Sequence, residues 1–91
     1  MHCRYFNFSR LRYFFYALTV HELLGRNIRA ERKKLGLTQE ALAAKARFSS
    51  NYIACVERAE EKLTLDGLVR IAKVLKLEPY ILLVPESSKS A

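Results

Sequence analysis

From residue 21 onward, apolar side chains recur three or four positions apart and no stretch sustains the two-residue alternation of a strand. Leu24, Ile28 and Leu35 fall at spacings of four and seven, with Arg32 on the same stripe. They predict a first helix that Gly36 stops in a left-handed turn, with Leu37 folding back on it. Thr38 is an N-cap type, and Glu40 sits in the first turn, where the helix dipole favours an acid. A short second helix over 39–46 then buries Leu42, Ala43 and Ala46, and Arg47 with Phe48 make a tight link. Ser49 caps a third helix through about Arg58, with Ile53 and Val56 facing inward. Thr64 caps a fourth, on which Leu65, Leu68, Ile71, Ala72 and Leu75 keep helical spacing. Pro79 occupies a first-turn position and opens a fifth short helix over 80–83, ended by Pro85. The expected architecture is a compact all-α domain of five helices over 21–84. A polar tail over 85–91 follows it.

Residues 1–20 are of another kind. Seven of the ten aromatics lie there: Tyr5, Phe6, Phe8, Tyr13, Phe14, Phe15 and Tyr16. The largely apolar run over 13–20 is far below the roughly 20 residues of a membrane span. The Thr-Val-His-Glu-Leu that follows Leu18 fits a secretory cleavage site poorly. Three readings of this irregular extension stand: a translated leader with the natural start nearer Val20, a short segment for a membrane surface or partner, or an arm packed on the domain or on a second copy.

Composition narrows the function. A chain of 91 residues is too short for a barrel or a doubly wound sheet. Sixteen Lys and Arg against nine Asp and Glu give a net charge of +7. Residues 1–37 carry eight basic side chains against two acidic ones, whereas 38–64 are balanced. A basic small domain points to a polyanion, nucleic acid or a membrane surface. Cys3 and Cys55 are far apart, the histidines are only His2 and His21, and neither a zinc site nor a disulfide framework follows. The three glycines form no phosphate-cradling loop, and no metalloprotease motif is present. No cofactor, metal or catalytic set is expected, and an enzyme is the least favoured reading.

Two short helices joined by a tight turn inside a basic all-α domain are the helix-turn-helix arrangement. Small Ala43 falls where the two helices meet. Ser50, Asn51, Ala54 and Cys55 face outward on the second helix, where Ser and Asn can reach base edges on close approach. The same polar-out pattern occurs on any surface helix, so alone it does not establish DNA binding.

The stretch from Ile28 through Thr38-Gln39, Tyr52-Ile53, Val56-Glu57-Arg58, Leu63-Thr64-Leu65, Leu68, Ile71-Ala72 and Leu75 resembles the Xre family, the Cro and lambda-repressor type of helix-turn-helix. The resemblance spans residues 24 to about 83 and is greatest to controller proteins of restriction–modification systems. It implies a dimeric, sequence-specific regulator of transcription on double-stranded DNA, acting in the cytoplasm on the nucleoid at a palindromic operator. Carried over residue by residue, it implies that Ser50, Asn51 and Cys55 read bases, flanked by Tyr52 and Ala54. Gln39 and Arg58 would meet phosphates, with Lys45 a further backbone contact. Arg32 and Glu57 match an ion pair between the first and third helices. The fifth helix, with Tyr80, Ile81, Leu82, Leu83 and Val84, is more apolar than one buried face needs and is the expected dimer surface.

Three positions depart from the family pattern. Arg47 stands where the turn usually has Gly, at a cost of about 1 kcal/mol for a left-handed non-glycine residue. Ala59 replaces a Gly after the third helix. Glu60 and Glu61 occupy a loop that often carries bases; they would repel DNA unless turned away, and they are not a catalytic pair. Tyr52 could contact phosphate through its hydroxyl or pack against the turn. Cys55 could be a redox-sensitive thiol in the groove, or simply a small side chain that fits, which is the simpler reading. Competing functions are the antitoxin of a toxin–antitoxin pair and a protein-interaction module with a weakened DNA face. Beyond DNA and a second copy, a toxin or RNA polymerase is the partner these readings add.

Overall fold

The computed structural model describes residues 20–85; residues 1–19 and 86–91, which make up the aromatic extension except Val20 and the polar tail except Pro85, lie outside the described residues. Within them the chain is all-helical: α1 over 20–34, α2 Gln39–Ala46, α3 Ser50–Glu57, α4 Leu65–Leu75 and a closing 3₁₀ segment Pro79–Leu83.

Local chemistry sets the starts of α2, α3 and α4. The hydroxyls of Thr38, Ser49 and Thr64 accept from the N–H groups of Ala41, Tyr52 and Gly67, each at 3.0 Å. Each bond satisfies a first-turn donor that has no partner inside its helix. The four helices also end alike. One residue enters the left-handed region, and the next N–H reaches back five positions: Leu37 to Arg32, Phe48 to Ala43, Glu60 to Cys55, Leu77 to Ala72, at 2.8–3.0 Å. Only the first of these stops is a glycine, Gly36. Arg47, Ala59 and Lys76 adopt φ of 65°, 61° and 61°. Each such residue carries strain of about 1–2 kcal/mol.

One core joins all the elements: Leu24 and Ile28 of α1, Leu42, Ala43 and Ala46 of α2, Ile53 and Val56 of α3, Leu68, Ile71, Ala72 and Leu75 of α4, and Leu82. Two leucines that keep helical spacing lie outside it. Leu35 sits in the turn that ends α1 and is 47% exposed, and Leu65 begins α4 and is 80% exposed. The fifth helix is corrected too. With Pro79 removing a donor and only five residues available, the segment closes as a 3₁₀ turn. Leu82 is fully buried inside this chain, so it is a core residue and not part of an exposed dimer face.

The 3₁₀ segment is tied to α1 by a residue that hydrophobic spacing overlooked. Asn27, 2% exposed, donates through Nδ2 to the carbonyls of Leu82 at 2.8 Å and Val84 at 3.0 Å. These carbonyls lie at the end of the 3₁₀ segment, where no further helical turn follows to supply donors. Asn27 occupies the Leu24–Ile28 stripe, and a polar residue on an apolar stripe was the available signal.

Candidate nucleic-acid interface

α2 and α3 share the core in which Ala43, 2% exposed, is buried. The first turns of both helices open on one shallow cleft, bordered by Arg32, Thr38, Gln39, Glu40, Ser50, Asn51 and Ala54. The fold thus brings Gln39, Ser50, Asn51 and Ala54 to one place. Ser50 and Asn51 are exposed, while Ala54 and Cys55 are half-buried. Lys45 lies at the far end of α2, on a separate cleft with Arg47, Arg70 and Lys73.

An ion pair sits behind the cleft. Glu57 accepts from Arg32 Nε at 2.7 Å and Nη2 at 3.0 Å, and from Gln39 Nε2 at 3.0 Å. Arg32 Nη1 donates to the Leu37 carbonyl at 2.8 Å. The two charged side chains are 9% and 2% exposed. A planar guanidinium matches a carboxylate in this two-bond geometry, so the end of α3 is locked to α1 and to the start of α2. Gln39, assigned to phosphate from the resemblance, has its side-chain amide directed to Glu57 here. Gly25 permits the close approach: a Cβ there would lie 2.6 Å from the carbonyl oxygens of both Val56 and Glu57.

Arg58 caps the end of α3. Its Nη2 lies 3.0 Å from Glu60 Oε1 and 3.7 Å from the Cys55 sulfur. Hydrogen bonding to Arg58, more than any other effect, holds the Glu60 carboxyl below its ordinary value, and the same bond raises Arg58 further. One of the two loop acids is therefore engaged by the cation beside it. Tyr52 packs against the turn: its hydroxyl donates to the Lys62 carbonyl at 2.7 Å and its ring centroid lies 4.9 Å from that of Phe48. Burial first, and the charge of Glu61 second, push its phenol above 10.0.

Sequence reasoning missed Arg70. From α4 it donates to the carbonyls of Ala46 at 3.0 Å and Arg47 at 2.6 Å. Its guanidinium carbon stands 4.1 Å from the Phe48 ring centroid. The only one-dimensional hint was an i,i+4 partner, Asp66, at 3.6 Å.

This combination of capped helices, tight turn and outward polar helix defines a helix-turn-helix domain. The chain belongs to the helix-turn-helix family HTH_3, which matches residues 28–82, and is a transcriptional regulator of the Xre, lambda-repressor-like type. It is 34% identical over 73 residues to the control protein C.SmaI of Serratia marcescens, covering 80% of this chain and 87% of that one. The restriction–modification controller C.AhdI of Aeromonas hydrophila superposes with a TM-score of 0.67 at 31% identity, covering 68% of this chain and 94% of that one. The P22 c2 repressor in complex with a synthetic operator gives a TM-score of 0.63 at 37% identity, covering 66% and 91%. No helix among the described residues is long and apolar enough to cross a membrane.

Proposed function

We propose that this chain binds a palindromic operator in double-stranded DNA as a homodimer and regulates a small operon, in the manner of a restriction–modification controller. The observation that carries the reading is the cleft between the first turns of α2 and α3. It presents exposed Ser50 and Asn51 over a buried ion pair that fixes their helix. In this reading α3 enters the major groove and Asn51 pairs with a base edge. The positive end of α2, at Gln39, faces a phosphate, and Arg58 meets phosphate after exchanging Glu60 for it. Tyr80, 63% exposed, and Leu83, 40% exposed, support a dimer contact at the 3₁₀ segment, with Ile81 and Val84 at its margin. Pairing two copies doubles a base contact too small for one helix to make useful.

The test is a titration of the full chain on the DNA upstream of its own coding sequence at several salt concentrations. Affinity is expected to fall steeply with salt, because each neutralised phosphate adds about 0.9 to the logarithmic slope. Salt-independent binding, or none at low salt, would refute the DNA reading. The neighbouring gene separates the particular roles: an endonuclease or methyltransferase fits a controller, and a small toxin fits an antitoxin.

A further inference from the structure

We infer that Arg70 is a positioning residue for DNA reading: from α4 it clamps the turn between α2 and α3 and so sets the angle at which α3 is presented. The inference rests on α3 being the base-reading helix. Arg47 holds a left-handed conformation at φ 65° without being glycine, a state that persists only when its surroundings stabilise it. Arg70 supplies that stabilisation from three directions. Its Nε and Nη2 donate to two successive carbonyls, Ala46 at 3.0 Å and Arg47 at 2.6 Å. These carbonyls close α2 at its negative end, where a cation is favoured. Its guanidinium carbon lies over the Phe48 ring, 4.1 Å from the centroid, where a cation is attracted to the ring face. Phe48 in turn packs on Tyr52, whose hydroxyl is held by the Lys62 carbonyl. The brace therefore runs from α4 across the turn to α3 and on to the loop after it. Lysine could supply the charge but not the rigid, planar edge of donors that reaches both carbonyls at once.

The experiment uses the full chain and measures affinity for an operator duplex, affinity for random duplex, and amide exchange of the free protein. Arg70→Gln is expected to lower the ratio of specific to random binding about tenfold, the scale of a lost charge-assisted hydrogen bond. Random-duplex affinity should hardly change. Adding Arg47→Gly to Arg70→Gln should restore much of the ratio, because glycine adopts the left-handed turn unaided. Arg70→Lys should fall between the two and carries the comparison if Arg70→Gln does not fold. Exchange of the Phe48 and Ile53 amides should quicken more than that of Leu68 in α4. An unchanged ratio, no rescue by Arg47→Gly, or an equal loss on both duplexes with a flatter salt slope would overturn the inference; the last would make Arg70 a phosphate contact. If the wild-type chain shows no sequence preference, the DNA reading itself fails. Selective exchange at Phe48 and Ile53 then supports the clamp, and uniform exchange overturns it.

Discussion

Glu57→Ala is expected to destabilise the domain severely. The carboxylate is 2% exposed and takes two bonds from Arg32 and one from Gln39. Truncation leaves a guanidinium, 9% exposed, with only its 2.8 Å bond to the Leu37 carbonyl. Breaking one side of a buried pair costs about 3–5 kcal/mol, since the remaining charge is stranded. In a domain of this size each kcal/mol lowers Tm by about 4–8 °C, so a fall of at least about 12 °C is expected. Thermal unfolding followed by helical circular dichroism measures it directly. Arg32→Met combined with Glu57→Leu should recover much of the loss, because replacing both charges with apolar groups removes the stranded one. A Glu57→Ala chain melting within 2 °C of wild type, on that same scale, would show that the pair does not tie α1 to α3.

Three further outcomes are expected. Gly25→Ala should destabilise by about 1–3 kcal/mol in urea unfolding despite alanine's better helix propensity, because its Cβ meets two backbone carbonyls at 2.6 Å; a gain in stability would mean that α1 and α3 are not in close contact. Tyr52→Phe should cost about 1 kcal/mol and leave DNA affinity unchanged, and a selective loss of affinity would restore the phosphate reading. Because the folded phenol ionises above 10.0, its contribution is present below that pH and lost as pH rises through the raised value, so Tyr52→Phe should flatten the alkaline limb of the stability curve. Glu60→Gln should free Arg58 and remove a repelling charge, tightening DNA binding while leaving the salt slope close to that of wild type, because Arg58 meets the same phosphate in both; weaker binding would contradict it. The wild-type pair works with the opposite sign. It is present above the ordinary carboxylate value and lost as pH falls through the lowered value of Glu60.

Much of the fold is legible in one dimension because its signals are local. Thr38, Ser49 and Thr64 cap helices from their own sequence positions, and the link at Arg47 follows from where α2 must stop. The misreadings arise where distant segments decide. Leu35 and Leu65 fit helical spacing but sit at helix ends, beyond the reach of the core. Asn27 is read correctly only when residues 82 and 84 are brought beside it. The phosphate role of Gln39 comes from the resemblance, and the bond of its side-chain amide to Glu57 shows only once α3 is folded against α2. Arg70 joins the site only through the crossing of α4 over a turn 23 and 24 residues earlier. The outward residues Ser50 and Asn51 were legible from polarity; the brace behind them was not.

We propose that α3 reads bases through Asn51 while Arg58 meets only phosphate. Measuring Asn51→Ala and Arg58→Ala against operator and random duplex tests it most directly. Asn51→Ala is expected to lose about 1–3 kcal/mol on the operator, the worth of a bidentate adenine contact, with random-duplex affinity nearly unchanged. Arg58→Ala should weaken both and reduce the salt slope by about one. If the two variants lose operator and random binding in the same proportion, Asn51 does not read bases, and α3 is not the source of sequence preference.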